Sequence, residues 1–372
     1  MEKYRVGIVG ATGMVGQRFI SLLKDHPWFE VNCVAASARS AGKTYREAVG
    51  ERWAFAWEIP EKVAGMTVVD AADIDEVSKH VDFVFCAVDM KKDEIRALEE
   101  AYAKHEIPVV SNNSACRGIE DVPMVVPEIN ADHLAVIEAQ KKRLGTKSGF
   151  IAVKPNCSIQ SYVPALTPLL DFEPEKVSVC TYQAISGAGK TFKTWPEMVD
   201  NVIPYIGGEE EKSEQEPLKL WGHVEDGKIV NATLPVISAQ CLRVACSDGH
   251  MAAVSVSFKK KPTIEQIKER LLSREEDLKK GIARQIDELQ RISELDRETA
   301  TNMLLEKLKG EVENECGLMI RNQVEEAKQK VERESQRLLM LAIQRYAGDC
   351  TYERTTATIP LPSDEMKGRI IG

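Results

Sequence analysis

The chain has 372 residues, 29% of them charged, with a net charge of −9, a length that predicts two or three domains. The acidic balance argues against a general nucleic-acid or anionic-membrane surface, and no apolar run approaches the roughly 18 residues that a membrane span requires. The nine cysteines, at 33, 86, 116, 157, 180, 241, 246, 316 and 350, form no CxxC pair. That predicts a reducing cytoplasmic setting, with neither a disulfide framework nor a metal site. No targeting segment is visible.

Residues 4–9 (YRVGIV) read as a short buried parallel strand running into Gly10, Gly13 and Gly16 of GATGMVG, then into a helix with apolar Phe19, Ile20, Leu22 and Leu23. A strand, a glycine turn and a helix let the backbone approach a pyrophosphate, whose charge the helix N-terminus stabilises. The next strand, residues 31–36, ends where an NAD enzyme would place an acid for the ribose hydroxyls. The sequence there is instead Ser37, Ala38, Arg39, Ser40, Ala41, Gly42, Lys43. Hydroxyls and cations suit a 2′-phosphate, which Arg39 can pair bidentately, so NADP is the expected cofactor.

Further apolar runs at 81–88, 107–110, 149–153, 177–185 and 251–258 alternate with helical segments, an α/β pattern with a nucleotide-binding half first. Within KPNCSIQ, Cys157 follows an asparagine and a proline, and His250 closes SDGH 93 residues later. A thiolate is a strong nucleophile and a thioester a good hydride acceptor. Free cysteine is only a few per cent thiolate at pH 7, so a base such as His250, with a helix N-terminus expected just after Cys157, would raise that fraction. SGAGKT at 186–191 fails as an ATP-binding loop, because Ala184 stands where the first glycine of that motif must fall.

Beyond Phe258 the chain changes character. No aromatic residue occurs until Tyr346 and no proline between Pro262 and Pro360. Ile282, Ile286, Leu289, Ile292 and Leu295 recur at three- and four-residue steps among nearly balanced charges, predicting a long amphipathic helix or coiled coil over 273–346. Residues 347–372 read as one strand and a turn.

GATGMVGQRF, SNNSACRG, KPNCSIQ, TYQAISGAG, NVIPYIGGEEEK and RVACSDGHMAAVSVSF, in that order, resemble the aspartate-semialdehyde dehydrogenase family over residues 1–272. The resemblance implies an N-terminal Rossmann-type NADP-binding domain (1–150) and an α+β catalytic domain (151–272) that lacks the family's C-terminal part. From about Arg274 the chain is similar to the stalk of ribonuclease Y, and 347–372 to the start of its KH module, without the RNA-clasping loop or the nuclease domain. That part implies a helical oligomerising segment with no nucleic-acid chemistry.

By resemblance, Cys157 is the nucleophile and His250 the base, with Gln183 and Asn156 orienting the thioester. Arg243 takes the substrate α-carboxylate and Glu209 its α-ammonium, while Arg117 and Lys212 bind phosphate. Gly10, Thr12, Gly13, Met14, Val15, Ser37, Arg39 and Ser40 hold NADP, and Ser186 and Gly187 lie near the nicotinamide. The implied reaction joins aspartyl phosphate to aspartate semialdehyde and phosphate, in a cytoplasmic homo-oligomer of two or four chains. Two alternatives stay open: an N-acetyl-γ-glutamyl-phosphate reductase-like enzyme, and a catalytically impaired chimera acting only through its helical tail.

Overall fold

The computed structural model describes residues 3–55 and 57–293, and each structural statement below concerns these residues. Six parallel strands form the first sheet: β1 (Tyr4–Val9), β2 (Phe29–Ala36), β3 (Val69–Asp70), β4 (Phe83–Cys86), β5 (Val109–Ser111) and β6 (Ile151–Val153). Their order is β3-β2-β1-β4-β5-β6, the doubly wound arrangement in which ligands bind beyond the strand C-termini. Val6, Ile8 and Val9 of β1 are fully buried, as expected of a central parallel strand covered on both faces. β6 pairs with β5, and a parallel bridge from Met124 covers its outer edge at Val153.

The second sheet is mixed, with β7 (Pro174–Gln183), β8 (Val202–Ile203), β11 (Val236–Val244) and β12 (His250–Phe258) in the order β12-β7-β11-β8. A small hairpin, β9 (His223–Glu225) and β10 (Lys228–Val230), stands apart from it. β11 runs parallel to β7 and β12 antiparallel to it. Strict alternation along β7 buries Val177, Val179, Thr181 and Gln183 and leaves the intervening residues more open. The opposite sheet face carries Tyr182 and Met251 in register, and Met251 is 67% exposed.

Two expectations change. The helix predicted just after Cys157 is only a 3-10 turn, Ile159–Ser161, followed by one α turn, Val163–Leu166. Both pieces are too short for their peptide dipoles to add up to much at the thiol. The predicted boundary at 272/273 falls inside one continuous helix, Ile264–Ser293. The helical reading of 294–346 and the KH-like reading of 347–372 lie outside the described residues.

Candidate active site

A cleft of about 810 Å³ opens at the C-terminal ends of β1, β2 and β4. Gly10, Thr12, Gly13, Ser37, Arg39 and Ser40 line it, together with Lys43 and Arg52. Gly10 has φ +92°, and a Cβ there would lie 2.3 Å from the Ala87 carbonyl oxygen, so only glycine keeps the cradle open. The helix α1 (Met14–Leu23) begins at Gly13 with no side-chain cap and no acid in its first turn. Its leading N–H groups are therefore available to an anion. These features fit a dinucleotide phosphate, with Met14 and Val15 supplying the first helical turn and the exposed Arg39 at the cleft rim. Ser186 and Gly187 do not line this cleft; a Cβ on Gly187 would come within 2.9 Å of Arg243 Nη1 and 3.0 Å of His250 Nε2.

The thiol and the imidazole meet: His250 Nε2 is 3.2 Å from Cys157 Sγ. Cys157 sits in the loop that leaves β6, whereas His250 opens β12. Strand register places the other groups beside it, since Gln183 on β7 pairs with His250 on one side and with Arg243 of β11 on the other. Partial enclosure raises the Cys157 thiol, but the hydrogen bond to His250 and the charges of His250 and Lys154 outweigh it and hold the thiol below its ordinary value. The same hydrogen bond raises the His250 imidazole. Its Nδ1, 2.8 Å from the Gly249 carbonyl oxygen, can then donate there while Nε2–H faces sulfur.

Both shifts favour a thiolate–imidazolium pair, present above the lowered thiol pKa and lost as pH rises through the raised imidazole value. His250→Ala is expected to slow turnover by about 10²- to 10⁴-fold. It should also move the midpoint of Cys157 alkylation by iodoacetamide to higher pH, because Lys154 alone then opposes desolvation. An unmoved midpoint would rule out a base role for His250.

One helix, α2 (Glu209–Leu220), organises the remaining charges. Steps of three and four residues place Glu209, Lys212, Glu216 and Lys219 on one face. Glu209 receives Asn156 Nδ2 at 3.0 Å, Gln183 Nε2 at 3.2 Å and Lys212 Nζ at 2.6 Å. Glu216 accepts from Arg117 Nη1 at 3.0 Å and from the Asn156 backbone N–H at 2.6 Å. It thereby ties the SNNSACRG loop to the nucleophile loop. Lys219 Nζ donates to the Arg117, Ile119 and Val122 carbonyl oxygens at 2.7, 2.7 and 3.0 Å.

Arg243 is 6% exposed and donates to the Ala184 carbonyl oxygen at 2.7 Å. All eight catalytic and substrate positions expected from the sequence therefore converge. The sequence does not single out Lys154, Glu216 or Lys219; for the latter two the available signal is the three- and four-residue spacing of charges in EEEKSEQEPLK, which also describes a solvated helix face.

Comparisons with known proteins match both parts of the chain. Residues 5–137 match the semialdehyde dehydrogenase NAD-binding domain, residues 166–285 the semialdehyde dehydrogenase dimerisation domain, and residues 255–350 the RNase Y N-terminal region. The aspartate-semialdehyde dehydrogenase of Archaeoglobus fulgidus is 44% identical over 268 residues, covering 72% of this chain and 75% of the relative. That of Saccharomyces cerevisiae is 40% identical over 275 residues, covering 70% and 74%. The crystal structure of aspartate-semialdehyde dehydrogenase with NADP from Candida albicans aligns with a TM-score of 0.64 at 35% identity, covering 73% of this chain and 76% of that one. With the thiol–imidazole pair and the phosphate cradle in place, the chain belongs to the aspartate-semialdehyde dehydrogenase family, continued by a segment similar to the RNase Y N-terminal region.

Proposed function

We propose that the chain interconverts L-aspartyl 4-phosphate and L-aspartate 4-semialdehyde plus phosphate through a thioester on Cys157. The observation that carries this reading is the 3.2 Å contact between His250 Nε2 and Cys157 Sγ, beside the paired row of His250, Gln183 and Arg243. In the reductive direction the Cys157 thiolate, held by His250, attacks the acyl carbon. The carbon–oxygen bond to phosphate breaks, and phosphate leaves with the electron pair. NADPH, when bound in the cleft, supplies a hydride to the thioester carbon. His250 protonates the resulting tetrahedral oxygen and takes the proton back as the carbon–sulfur bond breaks, which releases aldehyde and restores the thiolate.

Arg243 binds the α-carboxylate and Glu209 the α-ammonium group, while the Gln183 and Asn156 amides orient the reacting carbonyl. Glu209 discriminates against N-acetylated substrates, since an acetylated amine carries no charge to pair with a carboxylate. A clear preference for aspartate semialdehyde over N-acetyl-glutamate semialdehyde is expected; the reverse preference would overturn this substrate assignment. Arg39 and Ser40 favour NADP, so Arg39→Ala should raise KM for NADP about tenfold or more while leaving that for NAD nearly unchanged. Equal effects on both cofactors would contradict 2′-phosphate recognition. The open face of the second sheet, with Tyr182, Val202 and Met251 exposed, supplies the surface for a homodimer.

A further inference from the structure

Four basic side chains belong to the network around the Cys157 loop: Arg117, Lys154, Lys212 and Arg243. Two are already neutralised, Lys212 by Glu209 at 2.6 Å and Arg117 by Glu216 at 3.0 Å. Among the described residues, the other two pair with no carboxylate. Arg243 donates to the Ala184 carbonyl oxygen, and Lys154 Nζ to the Pro155 carbonyl oxygen at 3.0 Å. The substrate read from this site has two anionic ends. With Arg243 taking the carboxylate, Lys154 is the cation without a carboxylate partner that can join Arg117 and Lys212 at the phosphoryl group.

Its position suits that task. The Lys154 backbone N–H donates to the Ser111 carbonyl oxygen at 2.9 Å, so the residue stands where the loop leading to Arg117 meets the loop carrying Cys157, three residues before the sulfur. An ammonium has three N–H donors, and the hydrogen bond to Pro155 uses one. We propose that Lys154 is a further catalytic residue, whose ammonium binds the phosphoryl oxygens of the acyl phosphate, or of free phosphate, beside the Cys157 sulfur. The proposal rests on the thioester reading of the site. Burial lowers the Lys154 ammonium and the Arg117 charge acts in the same direction, while the charges of Cys157, Glu216 and Glu209 partly oppose both.

The test needs no cofactor or turnover. Iodoacetamide alkylation of Cys157 in the full chain is followed by peptide mass spectrometry across pH, with and without inorganic phosphate. In the unsubstituted chain, phosphate should slow alkylation in a saturable way. Lys154→Met should raise the half-protecting phosphate concentration about tenfold or more and move the alkylation midpoint upward by about one pH unit. Lys154→Arg, which keeps the charge, should restore most of the protection, a rescue that a purely structural role would not give. Should Lys154→Met fail to fold, Lys154→Gln is read on the same scale. Protection and midpoint unchanged in the neutral variant would overturn the role of Lys154 alone. Absence of phosphate protection in the unsubstituted chain would instead contradict the phosphate-dependent reaction itself, and this proposal with it.

Discussion

Replacing Cys157 by alanine is expected to remove turnover by at least about 10³-fold while leaving NADP affinity within a few fold. The sulfur is both the attacking atom and the acyl carrier, and no other group in the site can form the thioester. The NADP cleft is built from the β1, β2 and β4 ends, and Cys157 does not line it, so cofactor binding should survive. Serine is expected to fail nearly as completely, since the His250 contact does not make its hydroxyl comparably nucleophilic. Steady-state rates alongside NADP titration check both parts, and an alanine variant that keeps most of its activity would rule out the thioester.

Gly187→Ala is the second large effect. A Cβ on that residue would lie 2.9 Å from Arg243 Nη1 and 3.0 Å from both Cε1 and Nε2 of His250, closer than side-chain atoms normally approach. Arg243 is fixed by the Ala184 carbonyl oxygen and the imidazolium of His250 by the Gly249 carbonyl oxygen, so neither can withdraw without giving up a hydrogen bond. The imidazole must tilt from sulfur, and the guanidinium from the carboxylate it is proposed to bind. A loss of about 10²-fold in kcat/KM is expected, since a misplacement of about 1 Å costs that much. The variant should also show a raised Cys157 alkylation midpoint. A single methyl group with no effect on either quantity would mean that Gly187 does not pack against the reacting pair.

The cofactor half was legible because its signals are local. A buried strand, the Gly10 turn and the α1 pattern follow one another within 20 residues, and the missing acid after β2 is a single position. Cys157 and His250 could be named from their surroundings, but their contact could not, because it depends on two different sheets. The row of His250, Gln183 and Arg243 exists only through the register of β12, β7 and β11, which residue types alone do not fix.

Glu216 and Lys219 were invisible for a different reason. In sequence they continue the charged stretch begun by Glu209, and only the fold reveals that this face of the helix is turned inward, with Glu216 9% and Lys219 5% exposed. Lys154 was hidden in the same manner, as one cation before a proline. The helix expected after Cys157 is split into a 3-10 turn, one α turn and a further 3-10 stretch, each too short to focus a dipole on the sulfur. Activation of the thiol therefore comes from His250 and Lys154, not from a helix terminus.

The most direct test is NADPH formation by the purified full chain supplied with aspartate semialdehyde, NADP and inorganic phosphate. The proposed chemistry predicts phosphate-dependent NADPH production, lost in Cys157→Ala and abolished by omitting phosphate. No NADPH under these conditions from a folded chain that binds NADP, or production that persists without phosphate, would contradict it.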